Sequence, residues 1–240
     1  PLRRDVSRGD GGREASIGAG GGDVCVIAPA YLCFRERWSH LPITVEMGVP
    51  FGHRIVPVRV RTAAAPPSGA SDDKSGNSGG VTVHLLEVIG DGGSAAARFS
   101  TPYPQGDAAT RLTQPVLLAR ASLLLLDWLT TGRGEAPPSA IVTNDWLAAL
   151  TAPYAHHTSW AGGHASSGIR EIARSSLFIH LIHNLEAGYD GRLQLPDNAG
   201  RPNMLAALHQ LPSRLLHTMG SDDGLHLTRA ALLCSHGWGT

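Results

Sequence analysis

Three polar pairs in this sequence stand where chemistry could be done. Asn144–Asp145 follows the apolar run AIVT, His183–Asn184 follows SLFIHLI, and Ser235–His236 follows LTRAALLC. A neutral imidazole can donate from one ring nitrogen and accept at the other. His183 could therefore hold a sugar hydroxyl or stabilise developing charge, or else pack and cap locally as many histidines do. Asp145 has two readings: it caps the first turn of a helix beginning at WLAAL, or its carboxylate binds the hydroxyls of a polar substrate. Trp146 beside it is either a stacking platform for a sugar or a core residue.

Other chemistries find no pattern. His156, His157, His164, His180 and His183 form no HExxH or tight ligand spacing, so no metal is expected. There is no G-x-S-x-G elbow for a serine hydrolase and no recognisable glycosidase carboxylate pair. The glycine run IGAGGGD at 17–23 comes before a strand rather than after one, the wrong order for a phosphate-binding loop. APAYLCFRERW after that strand lacks the glycine fingerprint of a dinucleotide-binding dehydrogenase.

The elements that would position these pairs alternate along the chain. DVCVIAPAY (23–31) reads as a short buried strand, 41–61 as strands near a sheet edge, and VTVHLLEV (81–88) as another strand. Between them, 63–80 is a low-complexity insertion that cannot bury enough apolar surface to order itself. A helix is expected over 107–130, with Thr113 or Gln114 near its cap and Pro115 in its first turn. The run VLLARASLLLLDWL is apolar nearly all round, which predicts a helix buried on most faces. AIVT (140–143) reads as a fully buried strand, WLAALTAPYAHH as a helix, 158–170 as a Gly/Ser loop and SLFIHLI (176–182) as a strand. Helical spacing returns at 203–218, and 227–235 reads as a helix-to-strand passage. Strands alternating with helices imply an α/β fold with a mostly parallel sheet wrapped by helices. Ligands of such sheets sit beyond the carboxyl ends of the strands, where all three polar pairs are expected.

Composition bounds the rest. The chain has 240 residues, 42% hydrophobic, enough for a sizeable core. Lys+Arg and Asp+Glu both number 20, so net charge points neither to nucleic acid nor to an anionic membrane. No run of 18 apolar residues suggests a membrane span. Three cysteines at non-zinc spacings fit a reducing compartment better than a disulfide framework. Residues 1–22 are polar and glycine-rich, expected as a flexible leader, and lack the apolar region of a secretory signal.

In order and separation, DVCVIAPAY, IVTNDWLAAL, FIHLIHNLEAGYDG and LTRAALLCSHGWGT resemble the N-terminal half of starch and bacterial-type glycogen synthases. HLLEV and QPVLLARASLLLLDWL resemble that family's intervening strand and helix. The resemblance covers residues 23–240 as a single domain. It implies one Rossmann-like half of a GT-B glycosyltransferase, which moves glucose from ADP- or UDP-glucose to the non-reducing end of an α-1,4-glucan, with retention and without metal or other cofactor. On this reading His183 lies beside the transferred glucose and Asp145 faces the acceptor side. Asn184 supports the loop, Tyr189 touches glucan or donor, and His236 with Ser235 lines the cleft.

Two departures from the family accompany the resemblance. The family's Lys-x-Gly-Gly loop, which meets the donor phosphates, has no counterpart in LRRDVSRGDGG, where Arg3, Arg4 and Arg8 offer charge without that geometry. The sequence also stops where the family enters its C-terminal Rossmann domain, the main nucleotide site. The expectation is therefore a fragment of a longer enzyme, inactive alone, in the cytoplasm or plastid stroma and not secreted. Its rival is a synthase-derived, non-catalytic module that grips glucan or a protein.

Overall fold

A computed structural model describes residues 23–65, 80–89, 99–102, 106–184, 191–194, 210, 215–216, 219–221 and 224–240. The leader at 1–22, most of the insertion at 63–80 and most of the expected helix at 203–218 lie outside the described residues. β1 (Val24–Pro29) leads through a 3-10 turn into the short α1 (Arg35–Trp38). Then come β2 (Ile43–Phe51), β3 (Arg54–Ala65) and β4 (Val81–Val88). These four strands form one sheet in the order β1-β4-β3-β2. β1 and β4 run parallel, whereas β2, β3 and β4 are antiparallel neighbours.

Alternation decides the faces of β3. Val56, Val58 and Val60 are buried, while Arg59 and Arg61 on the other face pair with Glu46 at 2.8 Å and Glu87 at 2.9 Å. Gly52 takes φ 61° in the two-residue turn between β2 and β3, a conformation that costs glycine nothing. β2 is the outer strand, in agreement with the edge reading of 41–61. β3 and β4 stay paired as far as Ala65 opposite Val81, so the low-complexity segment joins two neighbouring antiparallel strands.

α2 (Ala108–Asp127) packs against β1, β2 and β4. Its cap is Asp107, whose Oδ1 accepts the Thr110 N–H at 2.8 Å. Pro115 therefore sits inside the helix rather than in its first turn. An interior proline costs about 3 kcal/mol. Leu112, Val116, Leu117, Leu123 and Leu125 are all fully buried, and each such side chain contributes roughly 1.5–3 kcal/mol, so burial wins. The helix relaxes into a π-helical turn at Trp128–Gly132. Thr110–Gly132 is long and apolar enough to span a membrane, but 83% of that window is buried by the protein itself, which makes it a core helix.

The second sheet is wholly parallel. It contains β5 (Ala140–Asn144) and β6 (Leu177–Leu181). Between them lie α3 (Asp145–Ala148), α4 (Thr151–His156) and α5 (Gly163–Ser175). A small antiparallel sheet follows, with β7 (Arg192–Gln194), β8 (Gly220–Ser221) and β9 (Gly224–His226) in the order β7-β9-β8. α6 (Leu227–Cys234) then leads to β10 (Gly237–Gly239), which completes the order β10-β6-β5. A parallel sheet flanked by helices is the expected α/β class. α2 also packs on α3, α4 and α5, and one buried cluster runs from β2, β3 and β4 through α2 to β6 and α6.

Several local expectations are corrected. β1 and β5 are not fully buried: Val24 is 53% and Val142 51% exposed, because each strand lies at the edge of its sheet. The helix expected over WLAALTAPYAHH breaks into α3 and α4. Pro153, without an N–H, cannot bond back to Ala149. The loop expected at 158–170 contains the whole N-terminal half of α5, a helix that buries Ile169 and Ile172 at helical spacing despite its Gly/Ser composition.

Two substitutions test this packing. Arg120, fully buried in α2, donates from Nη1 to the Pro50 carbonyl at 2.6 Å and lies over the rings of Tyr154 and Trp160. Arg120→Ala should cost about 3–5 kcal/mol in urea unfolding, through the cavity and the abandoned acceptors. Gly168 on α5 faces Asp127 so closely that an added Cβ would collide with its carboxylate. Gly168→Ala should lower the melting temperature by the equivalent of about 1–3 kcal/mol. A rise, the usual result of Gly→Ala in a helix, would show that the Asp127 side chain swings clear of the added methyl group.

Candidate functional site

β5 and β6 pair in parallel with Asn144 opposite Leu181. The residues just past both strands therefore emerge together at the carboxyl edge of the sheet, where α/β folds take ligands. Asp145 starts α3 with φ 54°, a left-handed conformation that aspartate tolerates better than most residues. Its carboxylate does not cap α3. Oδ1 instead accepts the backbone N–H of His183 at 2.8 Å. Asn144 Oδ1 lies 3.3 Å from His183 Nε2. His183 is exposed, Asp145 and Asn184 are half-buried. Two of the expected polar pairs thus meet at one edge, with carboxylate, amide and imidazole able to bind hydroxyl groups.

Beneath this edge is a residue to which the sequence pattern assigned no role. His180 is completely buried on β6, and its Nδ1 lies 2.8 Å from Thr143 Oγ1 across the ladder. Its Nε2 is buried with no hydrogen-bond partner among the described residues. Burial holds this imidazole below its ordinary value, and the Asp145 carboxylate pulls the other way. A histidine inside an apolar strand, in its next-to-last position, was the available signal.

The other expected site residues fall elsewhere. Trp146 is only 5% exposed and belongs to the core cluster, with Arg111 stacked 5.7 Å from its ring centre. The indole is thus unavailable as a sugar platform: α3 begins at Asp145 and turns the next side chain inward. Ser235–His236 precede β10 rather than follow a strand, because LTRAALLC stays helical to Cys234. The His236 N–H donates to the Phe178 carbonyl at 2.8 Å, and His236 Nδ1 accepts the Phe178 N–H at 3.0 Å. Phe178 is near the start of β6, so His236 sits at the amino end of the sheet, opposite His183, and does not line this crevice. Tyr189 lies outside the described residues. No group of three His, Cys, Asp or Glu among the described residues could hold a metal ion. An open depression of about 650 Å³ lined by residues 32–37 and Ser39 contains none of the residues singled out for chemistry.

A parallel α/β sheet flanked by helices, with a carboxylate, an amide and an imidazole converging beyond two adjacent strands, has the Rossmann-like arrangement. The chain belongs to the starch synthase catalytic domain family, whose profile matches residues 15–240. No curated protein matches it by sequence. Its fold is similar to that of the catalytic domain of starch synthase IV from Arabidopsis thaliana, bound to ADP and acarbose. The TM-score is 0.58 at 19% identity, over 88% of this chain and 36% of that one. The chain thus spans little more than a third of that structure's length.

Buried neutral histidines make stability depend on pH. Burial lowers the values of His84 and His180. The unfolded chain then takes up protons first, so stability is complete above the ordinary histidine value of about 6.5 and is lost as pH falls through it. Urea midpoints should drop from about pH 7.5 to about pH 5.5, and His180→Phe should flatten part of that slope. An unchanged slope in the variant would show that His180 is accessible to protons in the folded chain.

Proposed function

We propose that this chain forms the sugar-facing half of an α-1,4-glucan synthase. The transferred glucose comes from ADP- or UDP-glucose and passes, with retention, to the non-reducing end of a glucan. The observation that carries the reading is the meeting of Asp145 and His183 beyond β5 and β6, in a chain of the starch synthase family. His183 hydrogen-bonds the glucosyl unit near its anomeric centre and stabilises charge as the bond to phosphate breaks. Asp145 Oδ1 is used on the His183 N–H, and the remaining acceptor capacity of the carboxylate takes hydroxyls on the acceptor side. Asn184 supports the loop, and Tyr189 contacts glucan or donor. ADP and acarbose in the structurally similar synthase favour a nucleotide-sugar donor and a glucan acceptor.

The partner in this reading is a second Rossmann-like domain that supplies most nucleotide contacts, and the isolated chain does not transfer glucose. No cofactor or metal takes part, and the protein works in the cytoplasm or plastid stroma, in line with its free cysteines. A second reading is a synthase-derived, non-catalytic module that grips glucan or a protein.

In the natural polypeptide that carries this chain, His183→Ala should reduce glucosyl transfer to glycogen at least about 100-fold while leaving the thermal midpoint nearly unchanged. Undiminished transfer would remove His183 from the mechanism. Retention of the isolated chain on glycogen, together with no transfer by the natural polypeptide, would favour the binding module.

A further inference from the structure

The dipeptide Asn144–Asp145 holds His183 at two points. The Asp145 carboxylate takes its main-chain N–H at 2.8 Å, and the Asn144 amide oxygen lies 3.3 Å from its ring Nε2. Asn144 occupies the N-cap position of α3, where an asparagine side chain ordinarily accepts a hydrogen bond from the first turn. Here it makes no such bond. Its amide is turned across the β5–β6 ladder to the imidazole instead.

That choice has a consequence for the proton. An amide oxygen only accepts, so the ring nitrogen facing it must carry the hydrogen. A neutral imidazole has one N–H, and the other nitrogen is then a bare acceptor. We propose that Asn144 is a positioning residue that fixes His183 in its Nε2–H tautomer and presents Nδ1 as an acceptor at the carboxyl edge of the sheet. The ligand chemistry this selects is a hydroxyl donor, such as a sugar hydroxyl, rather than a carbonyl or a phosphate oxygen, which cannot donate to a lone pair. The tautomer claim stands on the geometry of the three residues. Its bearing on glucose binding rests on the function proposed above.

Neighbouring contacts limit the alternatives. Asn144 is exposed, so its removal leaves no buried hole. His180, which shares the ladder, is occupied at Nδ1 by Thr143 and lies on the buried side of β6. Asp145 already uses Oδ1 on the backbone, so the side-chain contact recorded for the ring is that of Asn144.

The test is nitrogen-15 NMR of the His183 ring in the isolated chain, with assignments fixed by comparison with His183→Gln. In the wild type, Nε2 should show the shift of a protonated nitrogen and Nδ1 that of an unprotonated one. Asn144→Ala should move both resonances toward tautomer-averaged positions. Asn144→Asp, which keeps an acceptor of the same shape, should keep the wild-type pattern and serves as the folded control should the alanine variant unfold. An Nδ1–H tautomer in the wild type overturns the proposal, as do identical ring shifts in wild type and Asn144→Ala. In the natural polypeptide, Asn144→Ala should lower kcat about tenfold with a smaller change in the KM for glucan. Changed ring shifts with unchanged kcat would support the clamp and sink the glucosyl-transfer reading of the site, so the two failures are distinguishable.

Discussion

Arg120 carries a charge into the middle of α2, where no part of it reaches solvent. Burying a charge costs several kcal/mol unless the surroundings compensate it. The compensation comes from three directions. The Pro50 carbonyl on β2 accepts at 2.6 Å, and the Gln210 amide oxygen at 3.3 Å. The Tyr154 and Trp160 rings lie 4.6 Å and 5.1 Å from the guanidinium carbon. Tyr154 stays neutral beside it, its hydroxyl pushed up to about 12 by burial, with Arg120 pulling the other way. The Trp160 N–H closes the cage by donating to the Tyr154 carbonyl at 3.0 Å. A planar, delocalised cation suits such stacking, and lysine would not replace it. α2, β2, α4 and the turn after α4 all meet at this group. The cage therefore ties the four-stranded sheet to the helices that lead away from β5.

The site inherits its geometry from that assembly. Those helices carry the chain from β5 to β6, and the parallel register then places Asn144 opposite Leu181. His183 comes two residues later and meets the Asn144–Asp145 pair. A left-handed residue at the start of a helix is a modest strain, and the His183 N–H bond to Asp145 offsets it. The same bond directs the carboxylate away from capping α3. Local helix stability is thus given up for a link between two strand ends.

Much of this was legible in the residues, for identifiable reasons. AIVT and SLFIHLI are apolar runs ended by polar pairs, and a parallel sheet delivers such endings to one edge. The strand pattern in 81–88 and the all-round apolar run of α2 gave element types correctly. What escaped the pattern depends on partners far away in sequence. Edge or centre is not written in VCVIA or AIVT, so the exposure of Val24 and Val142 was missed. Trp146 next to a polar aspartate looks like a platform until the helix direction turns it inward. His236 looked like His183, yet the helix that runs to Cys234 puts it before β10, at the other end of the sheet. α5 hid behind glycine and serine because its two buried isoleucines, not its composition, hold it in place.

The central question is whether a glucan engages the carboxyl edge of the β5–β6 pair. Amide NMR spectra of the isolated chain during titration with a linear malto-oligosaccharide measure this directly. Saturable shifts are expected at Asn144, Asp145, His183 and Asn184, with His236 at the far end of the sheet undisturbed. Shifts centred on His236 or on residues 32–37, or no saturable shift at all, would contradict this expectation.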